Sequence, residues 1–223
     1  MKKYVVVVAG GSGARMGGAL PKQFLLVHGR PVLWHTLNTF LSAYADLSVI
    51  LVVPGDYRTA GLDVVASTGA PERIRMADGG VTRFHSVRNG LELIGEESIV
   101  FVHDGVRCLL TTALVHRCYE AALQYGSAIP VVDSKDSVRF LTGKTSEAVE
   151  RSRVRLVQTP QTFRSDVLLN AYQREYSLQF TDEATVVEAS GHTVHLVEGE
   201  PDNIKLTHPM DLIVAERLLK GRE

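Results

Sequence analysis

Residues 5–16 read V-V-V-V-A-G-G-S-G-A-R-M, and residues 21–23 read P-K-Q. An unbroken apolar run of this kind is typical of a strand that is buried on both faces of a sheet. The glycines after it allow backbone N–H groups to approach an anion closely, because no Cβ intervenes and a positive φ costs little. Arg15 and Lys22 add two full positive charges to those dipoles. The stretch therefore predicts a strand that leads into a polyphosphate-binding loop.

Two well-known glycine loops do not account for this stretch. A Walker A loop needs a lysine between a glycine and a serine or threonine, whereas Lys22 lies between a proline and a glutamine. The dinucleotide fingerprint G-x-G-x-x-G is matched at Gly11 and Gly13, but Met16 occupies its third glycine position. That fingerprint places a neutral backbone against a pyrophosphate and does not require two cationic side chains. A strand-to-helix turn with two solvated basic side chains remains the simplest alternative.

Composition limits the class of protein. The chain has 223 residues, 45% of them hydrophobic, and 24 basic residues against 25 acidic ones give a formal charge of −1. These values fit a single α/β domain and argue against broad nucleic-acid or membrane-surface binding. The first apolar run, about five residues long, is too short for a signal sequence or a membrane span. We expect a cytoplasmic protein in which Cys108 and Cys118 are free thiols.

Short β-branched runs alternate with helical patterns along the chain. The predicted strands are residues 4–8, 48–53, 73–77, 99–103, 127–132, 154–158 and 193–197. Apolar spacing predicts helices near 33–41, 84–94, 114–122, 182–190 and 208–219. The alternation predicts an α/β fold, Rossmann-like, with a mostly parallel twisted sheet and helices on both faces.

One segment departs from the alternation. Residues 137–144 read S-V-R-F-L-T-G-K, which predicts a strand that leaves the body of the protein and turns at Gly143. Residues up to 153 then return toward the next strand. A polar excursion of this length is either functional, an interface arm or a surface hairpin, and the residues alone leave these alternatives open.

Polar clusters follow several predicted strands, where open α/β sheets bind their ligands. They read D-G-G at 78–80, H-D-G-V-R at 103–107, Q-T-P-Q at 158–161, T-D-E-A at 181–184 and N-I-K at 203–205. His103 is expected to tie down the loop at its strand end. Asp182 and Glu183 either complement a helix dipole or serve as a framework that holds the site. His192 and His195 are expected on opposite faces of one strand, which argues against a shared metal.

These blocks, in this order, resemble the 2-C-methyl-D-erythritol 4-phosphate cytidylyltransferase family of isoprenoid precursor biosynthesis. The resemblance covers almost the whole chain, and it is carried by A-G-G-S-G-A-R-M, P-K-Q-F, G-G-V-T-R-F-H-S-V, H-D-G-V-R, D-S-V-R, Q-T-P-Q, T-D-E-A and N-I-K-L-T. It implies that the phosphate of the methylerythritol phosphate attacks the α-phosphorus of CTP, and that pyrophosphate leaves. Such chemistry depends on positioning and on neutralisation of charge.

The resemblance also implies a role for individual residues. The expected catalytic residues are Arg15, Lys22, Arg151 and Lys205. The expected nucleotide-binding residues are Ala9, Gly10, Gly11, Ser12, Gly13, Gly80, Ser86, Asp104 and Gly105. The expected contacts to the alditol phosphate are Arg107, Ser137 and Thr159. Asp104 is also the candidate ligand of a Mg²⁺ ion that accompanies the CTP phosphates.

By the same resemblance, residues 1–223 form one nucleotidyltransferase domain with a β-arm at about 134–154. In the family such an arm crosses to a second subunit, so we expect a homodimer with arm exchange in which Arg151 enters the partner's site. The chain departs from the family pattern at Cys108, where a proline is usual. The contact of Arg107 with the alditol therefore depends on the backbone course at this position.

Several alternatives remain open. A ribitol-5-phosphate cytidylyltransferase would share the fold, the loop and the CTP chemistry, and the alditol pockets of the two differ only by features worth about 1–3 kcal/mol. A sugar-1-phosphate nucleotidyltransferase would lack the arm with Arg151. A nicotinamide-dependent oxidoreductase needs an acidic residue about 20 residues past the glycines, which this chain lacks. A non-catalytic nucleotide-binding protein would not need Arg15, Lys22, Asp104 and Lys205 together.

Overall fold

The computed structural model describes residues 1–11 and 20–222. Short single helical turns lie at Lys22–Phe24, Gly55–Tyr57, Pro71–Arg73 and Arg151–Arg153. In chain order the other elements are β1 (Lys2–Val8), β2 (Leu26–Val27), β3 (Arg30–Pro31), α1 (Val32–Ala43), β4 (Leu47–Val53), α2 (Arg58–Ala66), β5 (Ile74–Asp78), α3 (Arg83–Leu91), β6 (Ser98–Asp104), α4 (Thr112–Tyr125), β7 (Ser127–Asp133), β8 (Val138–Thr142), β9 (Thr145–Val149), β10 (Arg155–Val157), β11 (Gln161–Arg164), α5 (Ser165–Ala171), α6 (Glu183–Ala189), β12 (Leu196–Glu198) and α7 (Pro209–Lys220).

A mostly parallel sheet forms the centre of the described part of the chain. Strand β1 lies between β4 and β6 and is parallel to both, and β5 extends the sheet beyond β4. Strand β11 runs antiparallel between β6 and β7, while β10 pairs antiparallel with a later part of β7. Strand β12 adds to β7 in parallel. The predicted α/β fold is confirmed, and the carboxyl ends of β1, β4, β5 and β6 meet at one edge.

Apolar side chains cover both faces of the sheet. Val5 and Val7 pack on one face with α1, α2 and α4, whereas Val6 packs on the other face with α3, α5 and α6. This explains the unbroken valine run, since each alternate residue meets a different core. Full burial of a large aliphatic or aromatic side chain stabilises the fold by about 1.5–3 kcal/mol. Helix α7 packs on a third, smaller cluster that contains Val32, Cys108 and Leu206.

The predicted elements are largely confirmed. Six of the seven predicted strands lie within a few residues of their predicted bounds, but residues 193–195 are not part of a strand and β12 begins at Leu196. The prediction that His192 and His195 lie on a strand is therefore wrong. Helix α6 is followed by Gly191 at φ +91°, and the chain then runs extended to reach β7. Strand β11 and helices α2 and α5 were not predicted.

The segment predicted to leave the body forms a two-stranded hairpin. Strands β8 and β9 pair antiparallel from Val138 opposite Val149 to Thr142 opposite Thr145. Gly143 occupies the turn at φ +61°, a conformation that other residues rarely adopt. The hairpin pairs with no strand of the central sheet among the described residues. Phe140 and Leu141 on β8 are 68% and 83% exposed, respectively.

Candidate active site

Two adjoining cavities lie beside the carboxyl ends of the parallel strands. The smaller has a volume of about 290 Å³, and its wall includes Gly10, Gly11, Gly80 and Asp104. The larger has a volume of about 860 Å³ and is bordered by β7, β10 and β12. Lys205 lines both cavities. The sequence prediction that the site lies at this edge of the sheet agrees with this arrangement.

The start of the glycine loop is held by a buried glutamine. The Ala9 N–H donates to the Val52 carbonyl at 2.9 Å, and the Ala9 carbonyl accepts from Nε2 of Gln23 at 2.7 Å. Gln23 is fully buried, so this contact fixes the peptide that links Ala9 to Gly10. Gln23 was not among the predicted site residues, although it belongs to the quoted P-K-Q-F block. Ser12, Gly13 and Arg15 lie outside the described residues.

Lys22 brings a cation to the smaller cavity. Its Nζ donates to the carbonyl of Leu206 at 2.8 Å, which places the ammonium beside the segment that carries Lys205. Both lysines line the same cavity. Lys22 and Leu206 are 184 residues apart in the sequence, so the fold brings them together and local spacing does not.

The loop after β5 forms a close-packed corner of the smaller cavity. The Gly80 N–H donates to Oγ of Ser86 at 3.0 Å, and this hydroxyl donates to the Thr82 carbonyl at 3.0 Å. A Cβ on Gly80 would lie 2.4 Å from the Cβ of His85 and 2.8 Å from the His85 carbonyl carbon. Only glycine fits at position 80, because the conflict is partly with backbone. Ser86 therefore holds the shape of the slot in which a base contact is predicted.

Asp104, at the end of β6, lies at the centre of a cluster of cations. Its Oδ1 accepts from Nε of Arg83 at 3.2 Å, and its Oδ2 lies 3.0 Å from Nζ of Lys205 and 3.6 Å from Nε of Arg107. Burial alone would raise the pKa of Asp104, but Arg83, Lys205 and Arg107 together hold that pKa well below its ordinary value. The carboxylate is therefore charged throughout the neutral range.

Arg83 and Glu183 extend this cluster into the protein. Nη2 of Arg83 donates to Oε2 of Glu183 at 3.0 Å, and Nη1 donates to Oε1. Glu183 is fully buried, and the Tyr172 hydroxyl donates to its Oε1 at 3.1 Å. Of the two interpretations of Glu183, a partner of the helix dipole or part of a framework that holds the site, the structure favours the second. Arg83 was not among the predicted site residues, and its place in the G-G-V-T-R-F-H-S-V block was the available signal.

A buried threonine and a histidine fix the backbone of Asp104. The Asp104 N–H donates to Oγ1 of Thr159 at 3.1 Å, and this hydroxyl lies 3.0 Å from Nδ1 of His103. Nε2 of His103 lies 3.2 Å from the Arg107 carbonyl. Burial lowers the pKa of His103 to about 3, so the neutral ring donates through Nε2 and accepts the Thr159 proton at Nδ1. The prediction that His103 ties down its loop is confirmed.

Arg107 joins three segments beside the larger cavity. Its Nη1 donates to the Asn203 carbonyl at 2.8 Å, and its Nη2 lies 3.5 Å from the Val157 carbonyl. Nδ2 of Asn203 donates to the Thr159 carbonyl at 2.8 Å. Cys108 is 2% exposed and packs in the third apolar cluster, and with this cysteine where the resemblance predicts a proline, Arg107 still lies beside Asp104.

Not all predicted site residues face the cavities. The Gly105 N–H donates to the Val8 carbonyl at 2.9 Å, and its carbonyl accepts from Thr36 at 3.1 Å, so Gly105 packs behind the cavity wall. Thr159 is buried, with its hydroxyl engaged by Asp104 and His103. Ser137 and Arg151 are exposed at the base of the hairpin. The ligand contacts predicted for these four residues, like those predicted for the residues that line the cavities, remain predictions.

The fold and the site together define a class of protein. A mostly parallel α/β sheet carries, at its strand ends, a cavity with a glycine-rich wall and a ring of cations, which is the arrangement of an α/β nucleotidyltransferase. A sequence profile of the 2-C-methyl-D-erythritol 4-phosphate cytidylyltransferase family matches residues 3–221. The chain therefore belongs to that family.

Individual relatives agree along the whole chain. A protein of Bacteroides thetaiotaomicron named 2-C-methyl-D-erythritol 4-phosphate cytidylyltransferase is 48% identical over 219 residues, which cover 98% of this chain and 100% of the relative. The crystal structure of the Thermus thermophilus protein of the same name is 35% identical, with a TM-score of 0.77 over 99% of this chain and 100% of that one. The 4-diphosphocytidyl-2C-methyl-D-erythritol synthase of Anaerococcus prevotii superposes with a TM-score of 0.84 at 28% identity, covering 98% of each chain.

Proposed function

We propose that this protein transfers a cytidylyl group from CTP to 2-C-methyl-D-erythritol 4-phosphate. A phosphate oxygen of the alditol phosphate forms a bond to the α-phosphorus of CTP, and the bond from that phosphorus to the pyrophosphate oxygen breaks. The products are 4-diphosphocytidyl-2-C-methyl-D-erythritol and pyrophosphate. The observation that carries the proposal is Lys205, which is held by Asp104 at the boundary of the two cavities.

The two cavities suit the two substrates. The smaller cavity has the glycine-rich wall, the Gly80 corner and Lys22, which fit a pyrimidine nucleotide and its phosphates. The larger cavity has apolar walls from Val131, Leu156 and Val197, with Arg107 and Lys205 at one side. An alditol phosphate has carbon and hydroxyl surface at one end and a dianion at the other, so we place it there.

The cations supply most of the catalysis in this proposal. Both substrates are anions, and Lys22 and Lys205 lower the repulsion between them as they approach. The same cations stabilise the charge that builds up on the α-phosphate and on the leaving pyrophosphate. A phosphate monoester is largely a dianion near neutral pH, so no general base is required to generate the nucleophile. By resemblance to the family, Arg15 adds to this stabilisation.

Mg²⁺ is the expected companion of CTP, and the residues present fit it in one particular way. Among the described residues there is no cluster of three or more acidic, histidine or cysteine side chains that could hold a metal. Mg²⁺ commonly binds through one or two carboxylates together with substrate phosphates and waters. Asp104, a carboxylate on the wall of the smaller cavity, would be such a ligand only in exchange for one of its contacts to Arg83, Arg107 or Lys205. The ion would supply charge neutralisation at the phosphates.

We also propose a homodimer with arm exchange. Phe140 and Leu141 on the hairpin and Leu156 on β10 are large apolar side chains that are 49% to 83% exposed. Arg151, which is expected to act at an active site, does not line either cavity of its own chain. A second subunit would cover these three apolar side chains, and its active site would receive Arg151. Sedimentation equilibrium tests this proposal, since a monomer at micromolar concentration would contradict it.

A cytoplasmic location completes the proposal, supported by two buried free thiols that suit a reducing compartment. None of the helices in the described part of the chain is long and apolar enough to cross a membrane. Fractionation of cells that express the tagged protein tests the location.

Pyrophosphate release tests the activity. The purified protein is incubated with CTP and Mg²⁺, and with either 2-C-methyl-D-erythritol 4-phosphate or ribitol 5-phosphate. Release with the first substrate alone is expected. Release with ribitol 5-phosphate alone would keep the fold and the CTP site but replace the proposed substrate. No release with either would contradict the proposed reaction.

A further inference from the structure

Arg83 contacts two carboxylates with different edges of its guanidinium. Nη1 and Nη2 donate to the two oxygens of Glu183, while Nε donates to Oδ1 of Asp104 at 3.2 Å. A guanidinium is planar and rigid, so engagement of both Nη atoms fixes the direction of the Nε–H bond. The contact to Glu183 therefore decides where the contact to Asp104 can form.

Glu183 is itself immobilised from several sides. It is fully buried, and the Tyr172 hydroxyl donates to its Oε1 at 3.1 Å. It is the first residue of α6, which is capped by Asp182 through a hydrogen bond from the Thr185 N–H at 3.0 Å. Gln161 of β11 accepts from the Ala184 N–H at 2.8 Å and so ties the start of α6 to the central sheet. Glu183 is thus fixed relative to the strand ends.

Asp104 transmits this fixed direction to Lys205. Because Oδ1 is occupied by Arg83, Oδ2 is turned toward Lys205, whose Nζ lies 3.0 Å away. The Lys205 side chain is 43% exposed and has a flexible four-carbon stem, so its ammonium has no fixed position without such a partner. Asp104 holds that ammonium at the boundary of the two cavities.

We propose that Glu183 and Arg83 are positioning residues: Glu183 orients Arg83, Arg83 orients the carboxylate of Asp104, and Asp104 places Lys205 between the two substrates. This inference deepens the proposed function and rests on it for its kinetic consequence. A buried ion pair is often no more stabilising than apolar residues of the same volume. Stability alone therefore does not account for the Arg83–Glu183 pair, whereas the position that it gives Lys205 does.

The experiment compares Glu183→Gln with Glu188→Gln, an exposed glutamate on the same helix. Glutamine keeps the shape of residue 183 but loses one charge and one acceptor, so the Arg83 fork loses its bidentate partner. We expect kcat for pyrophosphate release to fall about 100-fold, because a displacement of about 1 Å in a reacting group has an effect of that size. The KM for CTP is expected to change little, because the Gly80 corner and the Gln23 contact are untouched. Glu188→Gln is expected to keep the kcat and KM of the wild type.

A second readout does not depend on the reaction. The Arg83 Nε–H lies in a partly buried hydrogen bond, so its ¹H–¹⁵N resonance is expected to exchange slowly with water in the wild-type protein. The resonance is assigned by its loss in Arg83→Lys. In Glu183→Gln the same resonance is expected to exchange quickly. If wild-type protein releases no pyrophosphate, the proposed function fails, while this readout still tests the positioning pair.

Arg83→Lys is the second variant, and Arg88→Lys on the exposed side of the same helix is its control. Lysine keeps the positive charge but offers a single ammonium, which cannot bind both oxygens of Glu183 and also fix Asp104. We expect the same fall in kcat, about 100-fold. The proposal would be overturned by a folded Glu183→Gln protein with a protected Arg83 Nε–H, or by an Arg83→Lys protein with the kcat of its control.

Discussion

The Asp104 cluster and the hairpin are built in opposite ways. Around Asp104, buried and half-buried groups from β6, α3 and α6, together with Thr159, hold one another through polar contacts of 3.0 to 3.2 Å. On the hairpin, Phe140 and Leu141 are exposed, and at its base Arg151 donates to the carbonyl of Lys135 at 3.1 Å. The first region is completed by the chain itself. The second region gains a function, in our proposal, only when another subunit meets it.

The largest effect is expected at Lys22. Lys22→Ala removes a cation from the smaller cavity, and we expect kcat to fall about 10²- to 10³-fold, as is typical when one donor to a developing charge is lost. Steady-state pyrophosphate release measures the effect. Lys2→Ala, at the exposed start of β1 and so at the end of that strand away from the cavities, is the matched control and should keep the wild-type kcat. A folded Lys22→Ala protein with near-normal turnover would remove Lys22 from the mechanism.

The next effect tests whether the hairpin acts in trans. Arg151→Ala is expected to lower kcat about 10- to 100-fold. A 100-fold fall would equal the loss of one donor that stabilises the developing charge. Mixed with Lys22→Ala subunits, it should recover part of the activity, because one site of the heterodimer then carries neither substitution. Exchange is followed with differently tagged subunits. Heterodimers that form but remain inactive would contradict a shared site, and the comparison with the Asp104 cluster would lose its basis.

A smaller effect concerns association. Replacement of Phe140 and Leu141 by serine removes the exposed apolar surface of β8 while leaving the hairpin hydrogen bonds intact. We expect the dimer to dissociate at concentrations at which the wild type is associated, since interface affinity depends on buried apolar anchors. Sedimentation velocity over a dilution series measures this. An unchanged dissociation constant would place the interface elsewhere on the surface.

Stability should depend on pH through the interior of the Asp104 cluster. Burial lowers the pKa of His103 from 6.5 to about 3, so below pH 6.5 the unfolded chain takes up a proton that the folded chain does not. The free energy of unfolding then falls with decreasing pH, by about 1.4 kcal/mol per pH unit for one proton. At pH values below the ordinary pKa of a carboxyl group, the lowered pKa of Asp104 reduces the free energy of unfolding further.

Urea unfolding between pH 7 and pH 4 measures this slope. His103→Gln should flatten it, whereas His116→Gln, at an exposed position, should leave it unchanged. If both variants keep the full slope, His103 is not the titrating group.

The smallest effect is on thiol reactivity. Burial raises the pKa of Cys108 and of Cys118 to about 12, so the thiolate fraction at pH 8 is about 10⁻⁴. Alkylation by iodoacetamide should be slow in the native protein and fast in denaturant, as measured by mass spectrometry. Rapid native labelling of Cys108 would show that the third apolar cluster opens readily.

The sequence predicts the centre of the sheet because β1, β4 and β6 are rich in β-branched residues. It does not predict β11, since three of the four residues in Q-T-F-R are polar. Gln161 and Thr162 are buried because β11 lies between β6 and β7, which the local sequence does not reveal. Local motifs predict Asp104 and Lys205 as site residues, but not their contact, which joins two segments that are far apart in the chain. The roles of Arg83 and Gln23 depend on burial and hydrogen bonding, which no local spacing encodes.

The side chain of Lys205 lines both cavities and so lies at the boundary between them. A molecule that fills both cavities and carries its negative charge at this point therefore binds as two linked fragments, and the second fragment binds at the high effective concentration set by the first. The product of the proposed reaction has that form. Compounds that join a cytidine to a small polyol through a short anionic bridge should accordingly bind more tightly than either half alone.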